Sequence, residues 1–276
     1  MVNYVISGLL GVFLLNLQEI IKLDFAYLDT FTTRTDTSWG TLFCNENQPI
    51  YYDANHAHID RECEHPQLVI DEVKGFYQSR NIVPRFYIYN LEDQQNLIAQ
   101  LKLNHFGFEE LIGPVQLWDQ QILKIETSEE ISIELVTTEN YSEALHIECS
   151  IKEFGGKAVR EKAFEVEFNH PSYVHYLLRY NGIASSTACI FIGDNQARME
   201  SVATLEEYRG KGLIGNLIHY IQVVVAKKGL DNLWVFPING KIEKVYQKYG
   251  FKTVAKLKMG HAFLGGKSVK EIRGEE

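Results

Sequence analysis

Residues 199–228 read MESVATLEEYRGKGLIGNLIHYIQVVVAKK, and the reading of this stretch decides the rest. Its start is a short apolar strand. A turn follows with Arg209, Gly210, Lys211 and Gly212, then Leu213, Ile214 and Gly215 open a helix of about four turns. Glycines let a backbone curl so that several N–H groups point into one concavity. A helix start adds unpaired N–H donors and the positive end of its dipole. The stretch is therefore an anion site, and a diphosphate is its natural ligand.

Working outward, ISIELVTTE (131–139) alternates with period two and is expected as a strand. A helix follows with Thr138 as its cap, running to Gly155-Gly156, and a second helix covers 159–169. SYVHYLLRYNG and IASSTACIFIG form a hairpin about Asn181-Gly182, a turn of the primed type. Asp194-Asn195 marks the next turn, before the strand that leads into the glycine turn. After the long helix come the strand NLWVFPI, the helix GKIEKVYQKYG, and two closing strands, FKTVAKLK and GHAFLGG.

This order, with VATLEEYRGKGLIG at its centre, resembles the GNAT superfamily of N-acetyltransferases, which use acetyl-CoA. The family's loop is written [Q/R]-x-x-G-x-[G/A]; Gly210 and Gly212 match it, and Glu207 stands at its first position. The wider form E-S-x-A-V-x-x-x-Y-R-G-K-G-x-[AG] fits from Glu200 to Gly212 with Thr204 in place of Val, and Ile214 stands where Gly or Ala is usual. Downstream, N-x-x-A-x-x-L-Y-x-x-x-G-F is met by Asn239, Val245, Tyr246, Gly250 and Phe251, with Ile242 at the Ala position. The resemblance covers the whole second half of the chain. It implies an α+β fold, a central mixed, mostly antiparallel sheet flanked by helices.

The resemblance also implies roles. Backbone groups of Val202, Ala203 and Thr204 would hold the acetyl carbonyl and pantetheine arm where the central strand splays from its neighbour. Amides from Arg209 to Gly215 would bind the diphosphate, with Arg209 and Lys211 adding charge or standing solvated at the rim. Tyr246 would be the general acid for the CoA thiolate, and Asn239 would support the pantetheine or the helix start. Glu200 occupies the place of a general base; the competing reading is a strand carboxylate facing solvent or paired with Arg198.

The first half, 1–128, is expected to be a second domain, with 129–276 as the acetyl-CoA-binding one and the boundary in the acidic stretch IETSEE (125–130). Helices are expected at 68–82 and 96–110, and strands at 86–90 and 115–123. Asn96 to Ala99 and Phe106-Gly107-Phe108 echo the spacing of Asn239 to Ile242 and Tyr249-Gly250-Phe251, with Leu103 in the place of Tyr246. No glycine anion loop precedes them, so this half looks like a degenerate copy of the same fold. Residues 29–67 read as a polar surface loop. It gathers His56, His58, Asp60, Cys63 and His65, a set without the spacing of a zinc site, and no metal is expected.

With 276 residues, 45% of them hydrophobic, the chain is long enough for two ordinary domains. A net charge of −9 without a long basic run argues against nucleic acid as the main partner. Cys44, Cys63, Cys149 and Cys189 form no C-x-x-C pair and read as reduced thiols of a cytoplasmic protein. The apolar start YVISGLLGVFLLNL lacks a basic leader and falls short of the ~20 residues of a membrane span, so it reads as a buried element and no membrane partner is expected. The leading expectation is a cytoplasmic N-acetyltransferase, monomeric or homodimeric, acting on a small amine, amino acid or peptide. The alternative is a non-catalytic CoA-binding or regulatory module. An ordinary nucleotide loop is excluded, since neither GxxxxGK[ST] nor GxGxxG is present.

Overall fold

A computed structural model describes residues 17–125 and 128–275. In chain order the first elements are α1 (Leu17–Leu28), β1 (Thr33–Asp36), β2 (Thr41–Cys44), β3 (His56–Ile59), α2 (Pro66–Gln78), β4 (Arg85–Ile88), α3 (Gln95–Leu103) and β5 (Gly107–Trp118). Then come β6 (Ile131–Leu135), α4 (Tyr141–Cys149), α5 (Lys157–Asn169), β7 (Tyr173–Tyr180), β8 (Ile183–Gly193) and β9 (Gln196–Thr204). The chain closes with α6 (Leu213–Lys228), β10 (Asn232–Val235), α7 (Gly240–Gln247), β11 (Phe251–Phe263) and α8 (Val269–Arg273).

The chain folds as two compact units, and neither is one continuous stretch. One holds the chain up to Tyr27 with Gly113–Lys256; the other holds Leu28–Ile112 with the chain from Leu257 onward. A cut at 128/129 is thus corrected. The reason is strand pairing: the end of β5 pairs with β10 in the first unit (Leu117 with Trp234), and the end of β11 pairs with β4 in the second (Gly260 with Ile88). Each unit takes its last strand half from the other half of the sequence. Of the acidic stretch 125–130, residues 126–127 lie outside the described residues, as does most of the apolar opening run.

In the first unit the strand order is β5-β10-β9-β8-β7-β6, antiparallel except for β9 beside β10. Ala197 and Met199 of β9 pack with Leu213, Leu217, Ile218 and Ile221 of α6 on one face. Ala144 and Ile147 of α4 and Phe164 of α5 pack with Leu177 and Ala203 in a second core. The hairpin turn stands as expected, with Asn181 and Gly182 both at positive φ, and so does Asp194-Asn195. The first helix is shorter than read, because Ile151 is extended and a short 3₁₀ turn at Lys152–Phe154 follows it. Asn140, not Thr138, precedes that helix, and its Oδ1 accepts from the Thr137 amide at 2.7 Å. The two closing strands are one, β11, because Gly260 takes its place in the ladder instead of turning the chain.

The second unit orders its strands β1-β2-β3-β4-β11, with β3 and β4 parallel and joined through α2. Its core gathers Val69, Ile70, Val73 and Tyr77 of α2, Leu97, Ile98 and Leu101 of α3, and Phe86 and Ile88 of β4. The surface-loop reading of 29–67 is corrected: three strands lie in it, and β3 is buried along its whole length. His56 packs edge-on to Tyr87 at 4.7 Å between centroids, and His58 stacks on Tyr89 at 4.5 Å. Burial pushes His56 down to about 3 and His58 well below its ordinary value, so both rings are neutral core residues. No metal-holding group and no disulfide is present among the described residues. Both units run strand, helix, parallel strand, helix, Gly-Phe strand, but the echoed positions do not correspond: Asn96 lies inside α3 where Asn239 caps α7, and Leu103 is exposed where Tyr246 is buried. The helix read at 96–110 stops at Leu103, and β5 already begins at Gly107. Among the described residues no helix is long and apolar enough to cross a membrane.

Candidate active site

The site begins where β9 parts from β10. Their parallel ladder runs only from Gln196 opposite Asn232 to Met199 opposite Val235. Beyond Met199, β9 stays paired with β8 alone, up to Thr204 opposite Ser186. On that side Cys189 faces Glu200 and Thr187 faces Ala203, so β9 carries an extra residue. Ser201 takes it up at φ 49°, a left-handed conformation that a serine adopts at a bulge. Val202 is half-buried; Ala203 and Thr204 are buried. Past Met199 the edge of β9 on the β10 side has no strand partner among the described residues. The Thr204 hydroxyl meets that of Ser186 at 2.6 Å, a contact that a valine there could not make.

Downstream, Gly210 and Gly212 have φ of 79° and 74°, and a side chain on either would meet nothing nearby. They are glycines for backbone conformation, and Gly212 sits at the N-cap of α6. Among the described residues the amides of 210–214 have no backbone acceptor, whereas that of Gly215 donates to the Gly212 carbonyl at 3.0 Å. Gly215 therefore leaves the predicted anion set. It is small for another reason: a Cβ there would stand 2.1 Å from the Tyr249 hydroxyl. Leu213 is buried and Ile214 packs against the same core, so neither side chain crowds the concavity. Arg209 is exposed and donates from Nε to the Thr204 carbonyl at 3.3 Å. Lys211 is exposed too, with Nζ 4.9 Å from the centre of the Tyr180 ring.

Asn239 caps α7; its Oδ1 accepts from the amides of Lys241 and Ile242 at 3.0 and 3.1 Å. Tyr246, one helical face further on, is 5% exposed and packs edge-on to Phe251. Burial, with the charge of Glu200 added, raises its phenol, which stays protonated. Glu200 is mostly enclosed, and burial pushes it up to about 7 although Arg198 pulls it down. Arg198 and Glu200 point to the face opposite Ala197 and Met199, as strand alternation requires. The pairing of Glu200 with Arg198 is thus observed, and the charge of Glu200 is felt at Tyr246, which packs in the core with Ala197 and Met199.

Around this pair lies a charged group that the motifs did not reveal. Arg198 Nη1 donates to Asp24 Oδ1 of α1 at 2.7 Å. Deeper, Arg160 of α5 donates both Nη groups to Glu167, at 2.9 and 2.8 Å, and also touches Glu148 of α4. His175 lies 4.0 Å from Glu148, and its Nε2 is 3.6 Å from the Cys189 sulfur. Only the i, i+2 spacing of Arg198 and Glu200 was visible in sequence. The other partners come from elements whose contacts no local pattern encodes.

An unpaired strand edge and a glycine-shaped helix start with free amides together offer backbone donors to an extended, anionic ligand, with a buried phenol in the same unit. The sequence profile of the acetyltransferase (GNAT) family matches residues 141–251, and this chain carries a GNAT acetyltransferase domain. A conserved protein of unknown function from Staphylococcus epidermidis superposes with a TM-score of 0.68 at 15% identity, covering 87% of this chain and 96% of that one. A GCN5-related N-acetyltransferase from Kribbella flavida gives 0.65 at 16% identity, over 90% and 95%. A tandem GNAT protein from the clavulanic acid biosynthesis pathway gives 0.52 at 12% identity, over 77% and 76%. At these identities the likeness is one of fold. No curated protein matches the chain in sequence.

Proposed function

We propose that this protein is an N-acetyltransferase that moves the acetyl group of acetyl-CoA directly to a primary amine of a small molecule, amino acid or peptide. The observation that carries the reading is the convergence of the open β9 edge, the free amides of 210–214 and the buried Glu200 and Tyr246 in one unit. The carrier supplies an activated thioester; the chain supplies the rest. Backbone groups of Val202, Ala203 and Thr204 hold the extended arm along the strand edge. Amides from Gly210 to Ile214 take the diphosphate, helped by the α6 dipole and the charge of Arg209 and Lys211. Asn239 is committed to capping α7, so its contribution is to place Tyr246.

Glu200, poised at about 7, takes the proton from the acceptor ammonium, and a carboxylate with that value is half ionised at neutral pH. Tyr246 holds its proton for the departing thiolate. Asp24 and Glu167 balance the guanidiniums of Arg160 and Arg198, and Glu148 and Glu200, both pushed up to about 7, add negative charge as they ionise, which favours a cationic acceptor. We place the reaction in the cytoplasm, where the free cysteines stay reduced. The second unit, with acidic Glu62 and Glu64 between β3 and α2 in place of a glycine turn, is the degenerate copy and takes no carrier.

The test is a panel of amines and peptides with detection of the thiol released from acetyl-CoA. Turnover on an amine, cut in Glu200→Gln most strongly near neutral pH, is expected. Acetyl-CoA binding without thiol release on any amine would mark a non-catalytic module instead.

A further inference from the structure

Arg198 has more partners than a strand side chain requires. It is 8% exposed, and its guanidinium lies over the Tyr27 ring at 4.4 Å and the Phe236 ring at 4.3 Å. Its Nη1 meets Asp24 at 2.7 Å and its Nε touches Glu200. Asp24 and Tyr27 stand three residues apart on α1, so one face of that helix delivers both. That helix lies outside the stretch matched by the family profile, 141–251, yet belongs to the same compact unit.

We propose that Arg198 is a positioning residue, anchored by Asp24 and Tyr27 of α1, that holds the Glu200 carboxylate at the parting of β9 from β10. The proposal rests on the reading of Glu200 as proton acceptor. An unanchored guanidinium would turn its fork onto Glu200 and bind it bidentately, leaving a weak base. Asp24 claims Nη1, and the rings fix the plane, so the guanidinium meets Glu200 at Nε. The α1 helix is then a working part of the transfer centre and not a leader to it.

The charged and titratable groups facing Glu200 are Arg198 on its own strand, Asp24 on α1, Glu167 on α5, Cys189 on β8 and Tyr246 on α7. Burial raises Glu200, Arg198 lowers it, and Asp24 and Glu167 raise it. Two variants must therefore act in opposite senses. Asp24→Asn removes a negative charge and frees Arg198, so the Glu200 titration midpoint falls. Arg198→Met removes the nearby cation, so the midpoint rises by roughly 1–3 pH units.

The experiment is a carbon-13 NMR titration of the full chain labelled at the glutamate carboxyls, with Glu200 assigned as the resonance missing in Glu200→Gln. Midpoints moving in opposite directions, with the acid limb of the kcat/KM profile following them, are expected. A shared direction, or no movement in Asp24→Asn, would overturn the proposal. Asp24 is partly exposed and Asn is nearly isosteric, so that variant remains informative even if Arg198→Met does not fold. Turnover separates the two readings: wild-type acetyl transfer and pH profile in Glu200→Gln would remove the base role while leaving the NMR result to judge Arg198.

Discussion

Glu148 offers a quantitative test that needs no knowledge of the acceptor. Arg160 is forked onto Glu167 with both Nη groups, and one of these also touches Glu148, so one guanidinium serves two fully buried carboxylates. Burial, against the pull of Arg160 and with the repulsion of Glu167, pushes Glu148 from an ordinary 4.5 up to about 7. Between those values the folded chain holds a proton that the unfolded chain has released. Stability contributed by this group is therefore fully present below 4.5 and is lost as the pH rises through 7. At about 1.4 kcal/mol per pH unit the loss approaches ~3 kcal/mol.

Glu148→Gln should match the wild type at pH 5 and exceed it at pH 8 by up to about 3 kcal/mol, because the amide keeps the shape and cannot ionise. The assay is urea unfolding of both proteins at each pH. The difference between them is the readout, since the neutral His56 and His175, pushed down to about 3 and about 4 by burial, move the absolute stability the other way. A variant less stable than the wild type at pH 8 by more than ~1 kcal/mol would refute the reasoning, for it would make ionised Glu148 a required partner of Arg160. The reverse perturbation, Arg160→Met, leaves both carboxylates facing each other and should cost about 3–5 kcal/mol.

Three further perturbations address the carrier side. Gly212→Glu puts a carboxylate at the mouth of the amide concavity, at a left-handed φ of 74°, and should weaken CoA binding by at least ~30-fold in calorimetry; unchanged affinity would place the diphosphate elsewhere. Tyr246→Phe should lower kcat by about 10²–10⁴ with acetyl-CoA affinity within about twofold, and an equal loss of both would sink the acid role. Gly215→Ala sets a methyl 2.1 Å from the Tyr249 hydroxyl and should lower stability by about 1–3 kcal/mol; a variant as stable as the wild type would mean that Tyr249 does not pack there.

The half of the site proposed to hold the carrier was readable because its chemistry is local. A strand end, the glycines of a turn and a helix start lie within one run, and Gly210 and Gly212 advertise a backbone conformation that few other residues adopt. Gly215 looked the same in sequence and is different in space, since its φ is ordinary and only Tyr249, far along the chain, explains it. Long-range pairing also hid the division of the chain, because nothing local says that β5 joins β10 and β11 joins β4. His56 and His58 misled for the opposite reason: a polar composition suggested a surface, yet neighbouring tyrosines make β3 a buried strand.

The half proposed to meet the acceptor was hidden for a deeper reason. Its charges are set by partners up to 174 residues apart, as Asp24 and Arg198 are, and only folding makes them neighbours. What they produce is a carboxylate held near 7 by burial while one cation restrains it. An arriving ammonium is the second cation, and by linkage it must lower the midpoint of Glu200 as it binds. On the proposed function, acceptor affinity should rise between pH 6 and pH 8 by up to about tenfold, with proton release on binding, until the amine itself deprotonates. An acceptor bound equally well across that interval would mean that its nitrogen does not approach Glu200.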